Sequence, residues 1–528
     1  MSATPGRFGR SEGKTSSAVS TPTSTAGTEE FDYVVVGAGS AGAVVAARLS
    51  EDPGVSVALV EAGGSDRAPV FRVPSLWPYQ QVTNSDWDYD TEPEPGLLGR
   101  RLSLSRGKVL GGSSSMNGMI FLRGAKEDYD GWSSQGLRGW SFDDVLPVFR
   151  DMEASSRGES EYHGATGPIT VSDPAYPEEA VASAWIDAAI AAGYPLNDDL
   201  NGPTQLGPGR FPLTVRNGER VSSSTAYLEP AAGRANLTVL TYTQARRVLI
   251  ESGRAVGVEV EHLGVARTLR ARREVVVSGG AYNSPHLLML SGIGHADHLR
   301  EHDVEPLVDL PVGDHLQDHP GTGIYFYSET PRADESSALG EAGGFFKTQP
   351  ELAVPDTESM IYPHYNGPLN SYRDREGGSF SITVQVLRPA SRGTVRLRSP
   401  YPTAHPRITH NHFTDPADLR VLIDALRLNM EIARQPQLQK IVTRPRLLPD
   451  SESDRDLTDY VRRYASGFWH PTSSCAMGAV VDERLRVIGV DGLRVADASV
   501  MPTIVGANPN ATVLMIGERA AAFLKADA

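Results

Sequence analysis

One stretch constrains this chain more than any other. Phe31-Asp-Tyr-Val-Val-Val36 is an apolar run of the kind buried in a sheet, and it enters Gly37-Ala-Gly39-Ser-Ala-Gly42 directly. A helical segment of small residues follows from Ala43 to Leu49, then a turn at Asp52-Pro-Gly54. A second strand-like run, Val55 to Val60, ends in Glu61. Strand, glycine turn, helix and strand within about 30 residues make one βαβ unit. Each glycine has a reason: Gly37 permits the tight turn, Gly39 leaves room for a pyrophosphate against the backbone, and Gly42 lets helix and strand approach. The helix N-terminus offers free N–H groups to phosphates, and Glu61 is placed to bond ribose hydroxyls. The pattern predicts a dinucleotide site without choosing between NAD and FAD.

The rest of the chain narrows the class. Its 528 residues suffice for several domain-sized pieces with a large core. With 50 basic and 65 acidic residues the net charge is −15, which excludes the footprint of a nucleic-acid binder. A single cysteine, Cys475, excludes an internal disulfide framework and a thiolate metal cluster. No run of 18 apolar residues predicts a membrane span. Residues 1–30 are rich in Ser, Thr, Gly and Ala, lack the apolar core of a secretory signal, and read as a disordered tail on a cytoplasmic protein.

Further segments carry the glycines and hydroxyls of a large-cofactor site. These are Arg106-Gly-Lys-Val-Leu-Gly-Gly-Ser-Ser-Ser-Met-Asn117, the strand Glu274–Val277 leading into Ser278-Gly-Gly280 and a helix through Leu290, and a strand Gly492–Asp497 before a Pro/Gly/Asn loop. Residues 197–210, rich in Asn, Gly and Pro, read as a functional loop. With Gly280 to Gly294, Phe468-Trp-His-Pro471, Ala496 to Pro502 and Asn508-Pro-Asn510 in order, the sequence from about residue 31 onward resembles the glucose–methanol–choline (GMC) family of FAD-dependent oxidoreductases.

The resemblance implies an α/β architecture, α+β overall. A discontinuous Rossmann-like FAD-binding domain would comprise 31–165, 231–322 and 468–528. A substrate domain, an antiparallel sheet packed by helices, would comprise 166–230 and 323–467. It implies non-covalent FAD, because the position that tethers flavin in choline-oxidising members is Leu104 here. The implied cofactor residues are Gly37, Gly39, Ser40, Ala41, Gly42, Glu61, Ala62, Arg106, Val109, Gly111, Gly112, Ser113, Ser114, Asn117, Gly118, Met119, Ile120, Ala245, Ser278, Gly279, Trp469, Asp497, Ala498, Asn508, Pro509 and Thr512. Of these, Gly111, Gly112, Ser113, Ser114 and Asn117 would lie against the flavin, Ala245 by the adenine, and Asp497 at the pyrophosphate and ribityl end.

Alcohol oxidation by a flavin needs a base for the hydroxyl proton and a hydride path to flavin N5. Histidine suits the first task, since its ordinary pKa lies near neutrality. His470 matches the family's catalytic histidine, and Asn508 matches its partner. Asn510 reads as the N-cap of a final helix to Lys525. Cys475 reads as a small core residue. Gln317-Asp318-His319-Pro320 has no further ligands nearby in sequence, so it reads as a junction loop, and no metal site is expected.

Departures from the family pattern bear on the substrate. The carboxylate that steadies choline's ammonium is replaced by Gly321, and the paired tryptophans fall near Leu339 and Gly340. Both changes disfavour choline and suggest a roomier pocket. His364 and Phe468 are candidate substrate residues. The leading expectation is oxidation of a polar hydroxymethyl compound to an aldehyde, an aminoglycoside-type amino sugar in a biosynthetic pathway being the specific suggestion. Oxygen or another acceptor would reoxidise the flavin. The alternatives are a small- or aryl-alcohol oxidase, a choline-type dehydrogenase, a non-redox hydroxynitrile lyase, and a flavoprotein retained only for binding.

Overall fold

The computed structural model describes residues 28–81, 83–174, 180–329, 338, 340–367 and 378–528. Leu339 therefore lies outside the described residues, as do residues 1–27 of the expected tail. Thr28, Glu29 and Glu30 are not part of a disordered tail. They extend the first strand, Thr28–Val36, by pairing with Thr268–Arg270, and Glu29 and Glu30 form ion pairs with Arg267 and Arg272.

Two sheets organise the described residues. In the first, Leu237–Leu240, Val57–Val60, Thr28–Val36 and Val265–Val277 run parallel in that spatial order. Arg254–His262 and Thr243–Glu251 continue the sheet antiparallel, and Leu493–Val495 joins Val275–Val277 in parallel. Where the parallel strands are covered on both faces, at Tyr33–Val36, Val57–Val60 and Val275–Val277, they are continuous apolar runs. Helix Ser40–Leu49 leaves the first strand through the glycine turn and packs on the last helix, Asn510–Asp527. That contact is close because Gly517 has no side chain: a Cβ there would lie 2.9 Å from the Ala41 carbonyl.

The second sheet is wholly antiparallel, in the order Ala342–Phe346, Thr357–Tyr362, Ser379–Val386, Pro320–Ser328, Val442–Leu447, with Ser466–Gly467 also on Pro320–Ser328. Helices Ala180–Ala191 and Pro416–Ala433 pack on it. Its register puts Tyr325 opposite Ser381, and Thr383 opposite Met360. Residues 197–210 serve structure: the Asn201 side chain accepts from the Arg123 main-chain N–H (2.8 Å), and Asn197 binds the carbonyls of Thr204 and Leu206.

Candidate active site

A cavity of about 920 Å³ runs from the ends of the parallel strands to the second sheet. Val36, Val60, Val277 and Val495 finish their strands together, so Gly37, Glu61, Ser278 and Asp497 meet at one edge. Crevices at the carboxyl ends of parallel strands are where such sheets bind ligands. Gly37 has φ +100, and a Cβ on it would lie 2.4 Å from the Ser278 carbonyl oxygen. A Cβ on Gly42 would lie 1.9 Å from the Gly37 carbonyl, and one on Gly112 would lie 2.7 Å from Gly39 Cα. Backbone meets backbone across this end, as the fingerprint predicts.

Two carboxyls pin the cradle. Glu61 accepts the Ala38 and Gly63 N–H groups at 3.0 and 2.8 Å, and burial pushes it up to about 7. Asp497 accepts from the Gly280 N–H and the Ser284 hydroxyl at the start of helix Gly280–Leu290, and burial raises its pKa as well. Two buried polar atoms at the cavity wall, Ser278 Oγ and Asn508 Oδ1, have no partner among the described residues. A cradle without side chains, unpaired polar atoms and room at the upper end of ligand-pocket size fit a dinucleotide such as FAD.

Of the expected cofactor residues, Gly37, Gly39, Ser40, Ala41, Glu61, Ala62, Arg106, Gly112, Ser113, Asn117, Gly118, Ile120, Ala245, Ser278, Gly279, Trp469, Asp497, Ala498, Asn508 and Pro509 line the cavity. Gly42, Val109, Gly111, Ser114, Met119 and Thr512 lie behind it. Ser114 donates to the Gly111 carbonyl and Thr512 pairs with the Tyr129 hydroxyl, so both support the wall. Asn510 is not the N-cap: Pro509 holds that position, and Asn510 Oδ1 accepts from the Ser40 hydroxyl at 2.7 Å. The bond ties the first and last helices together across 470 residues. Cys475 is wholly buried and its thiol is pushed well up, in keeping with an inert core residue.

His470 Nδ1 lies 3.0 Å from His319 Nδ1, and His319 Nε2 lies 3.1 Å from the Val505 carbonyl. A carbonyl only accepts, so His319 carries its proton on Nε2 and offers the lone pair of Nδ1. His470 must then carry its proton on Nδ1, which leaves Nε2 as a free base, 3.3 Å from the Asn508 amide. Burial drives His319 down to about 3 and His470 well below the usual histidine range, the latter helped by His319 and Arg106. Trp469, just before His470, has φ +58. Such backbone costs about 1–3 kcal/mol outside glycine and needs fixed partners.

Sequence reading places Asp318 and His319 in a plain junction loop. The fold makes His319 the partner of His470 and brings Asp318 beside His410 and His412, far away in sequence. One ligand-type atom from each of these three buried residues lies within 4.8 Å of the others. The guanidinium of Arg106, which acts on both Asp318 and His410, opposes a cation there, and we assign the trio no ion. Spacing gives no signal for this cluster, because Asp318 and the two histidines come from separate segments, the latter held through their main chain by the Glu94 carboxylate.

At the far end Trp77, Ile120, Tyr325, Met360, Tyr362 and Phe468 line the cavity. His364 is not among the lining residues; its ring packs edge-on to Tyr362 at 5.6 Å. The glycines do not make the pocket roomier. A Cβ on Gly321 would lie 2.1 Å from the Val384 carbonyl and 2.6 Å from the Phe468 ring, and one on Gly340 would lie 2.9 Å from Tyr362. Phe468 and Tyr362 occupy that space, so aromatic surface is present after all.

The comparisons agree with this geometry. Models of the GMC oxidoreductase family match residues 31–321 and 389–517. An oxygen-dependent choline dehydrogenase of Burkholderia pseudomallei is 42% identical over 532 residues, covering 94% of this chain and 93% of its own. Among solved structures, pyridoxine 4-oxidase from Mesorbium loti superposes with a TM-score of 0.89 at 32% identity, over 93% of this chain and 98% of the other. A formate oxidase variant from Aspergillus oryzae gives 0.88 at 26%, over 96% and 99%. No described helix is long and apolar enough to cross a membrane. With the nucleotide cradle, the histidine pair and full-length likeness together, the chain belongs to the GMC oxidoreductase family and is an FAD-dependent alcohol oxidoreductase.

Proposed function

We propose that the protein oxidises a primary alcohol to an aldehyde, with His470 as the base and Asn508 as the group that holds the substrate oxygen. The observation that carries this reading is the chain Val505 carbonyl, His319, His470, which leaves Nε2 of His470 unprotonated at the cavity wall. The hydroxyl proton passes to Nε2, and the electron pair it leaves on oxygen becomes the second bond of the carbonyl as hydride departs from carbon. Bound FAD supplies the two-electron acceptor for that hydride. Asn508 positions the oxygen without competing for its proton, since an amide does not titrate here.

The substrate class we favour is an uncharged, planar hydroxymethyl compound of the aryl or heteroaryl kind. Trp77, Tyr325, Tyr362 and Phe468 supply flat apolar walls. The carboxylates among the described lining residues are Glu61 and Asp497, both committed at the strand ends. An amino sugar would thus find no described acid to pair with its ammonium groups, and this lining lends that expectation no support. The likeness to pyridoxine 4-oxidase accords with a heteroaromatic alcohol. Choline is the second reading, favoured by the choline dehydrogenase relatives and by ring faces able to hold a cation.

Anaerobic titration of the flavin-loaded protein with benzyl alcohol, pyridoxine, choline and an amino sugar tests this. Bleaching of the flavin by the first two at lower concentration than by choline is the expected result. Bleaching by choline alone would establish the second reading. Bound flavin that no alcohol reduces, with cleavage of mandelonitrile, would move the protein to the lyases. Admitting air to the bleached sample then shows whether oxygen accepts the electrons.

A further inference from the structure

The peptide unit joining Trp469 to His470 is held at both of its polar ends by ionisable side chains. Arg106 Nη2 donates to the Trp469 carbonyl at 2.7 Å, and the His470 N–H donates to Asp318 Oδ1, also at 2.7 Å. The two charges act on each other across the peptide. The residue they hold, Trp469, has φ +58, so this turn does not rest in that shape on backbone preference alone. We propose that Arg106 and Asp318 are a two-charge clamp on the Trp469–His470 peptide, and that Asp318 is a positioning residue which aims the His470 ring.

Independent features agree. Asp318 precedes His319 in sequence, so one short segment supplies both the acceptor for the His470 main chain and the acceptor for its ring. Asp318 is 2% exposed and does not line the cavity, so its role is not to touch substrate or FAD. The N–H groups of His319 and Trp469 also act on its carboxyl. Around it stand Arg106, His319, His470, His410, His412 and Tyr282, with Glu94 one layer beyond, holding the main chain of His410 and His412. Burial pushes Asp318 up to about 7, against the pull of the His470 N–H and Arg106. The clamp is therefore charged in alkaline solution and weakened in acid, whereas His470 itself is held neutral to much lower pH.

The proposal rests on His470 being the base, and the test separates the two. In the full-length flavin-loaded enzyme, His470→Ala tests the base and Asp318→Asn tests the clamp. In the latter variant the new amide oxygen would still accept the His470 N–H, and the amide as a whole would face the unpartnered Nε2 of His412, so the change removes charge rather than shape. The expected result is unchanged flavin occupancy, KM within about twofold, and kcat lower by about 10–100-fold. The acid limb of the kcat/KM profile near pH 7 should also vanish or move down by a unit or more. Asp318→Asn with wild-type kcat and the same acid limb, beside an inactive His470→Ala, overturns the clamp alone. An active His470→Ala overturns the base. If Asp318→Asn does not load flavin, Arg106→Lys and Arg106→Gln decide: higher kcat with Lys supports the clamp, and equal loss overturns it.

Discussion

The two ends of the cavity are built on different principles. At the nucleotide end, backbone meets backbone: Gly37, Gly42 and Gly112 leave gaps that a single methyl would close. At the substrate end, side chains from an antiparallel sheet define the space, and a missing group at Gly321 is filled by Phe468 from another segment. The first end tolerates almost no change and states its purpose in short motifs. The second can lose one side chain and fill the gap with another, so sequence position is a poor guide to its shape.

The harshest break in this contrast is Gly42→Ala. Its Cβ would meet a backbone carbonyl that cannot move aside, and we expect purified protein to hold less than about a tenth of the normal flavin, read from its visible absorbance. His470→Ala leaves the nucleotide end untouched. It should retain flavin while losing roughly 10²–10⁴-fold in kcat/KM, measured on the best alcohol. His319→Phe removes the acceptor of the His470 Nδ1 proton and frees the ring to take the wrong tautomer. A loss of about 10–100-fold in kcat is expected, a smaller effect than losing the base itself.

The substrate end should yield only where side chains alone fill it. Gly321→Glu collides with the Val384 main-chain carbonyl as well as with Phe468, so we expect it to bind alcohols poorly and expect Phe468→Ala not to rescue it. Phe468→Ala alone removes only a side chain; it should retain flavin and lose about tenfold in kcat/KM on benzyl alcohol, equivalent to ~1.4 kcal/mol. Rescue of Gly321→Glu by Phe468→Ala would show that the Val384 carbonyl can move aside.

Away from both ends, His163 sits between Asp199 and Glu153, at 3.0 and 2.9 Å, and hydrogen bonds to these acids raise it to about 9. A histidine raised in the fold stabilises it fully below its ordinary pKa, and that stability is lost as pH rises through the folded value. Thermal unfolding should therefore show a decline in midpoint between pH 7 and 9 that His163→Gln flattens, by about 2 °C.

Much of the architecture was legible. Val-rich runs ending in Gly37, Glu61, Ser278 and Asp497 announce parallel strands and a ligand edge, because both faces of such strands must be apolar and the turns must be small. That His470 and Asn508 meet at the cavity wall was legible through the motifs around them. Other readings depended on contacts that no local pattern encodes. Asn510 has the chemistry of an N-cap, yet Pro509 takes that place and Asn510 bonds Ser40. Asp318 and His319 look like loop residues until the pairing of Pro320–Ser328 with Ser466–Gly467 sets them beside His470.

The sequence by itself determined the nucleotide half of this protein and its reaction class, because phosphate binding and close backbone packing demand particular residues at fixed local spacing. Only the tertiary structure decided which groups hold the His470 ring and main chain, and what lines the substrate end. Those properties arise from hydrogen bonds and excluded volume between segments that only the fold brings together, where many sequences satisfy the same geometry.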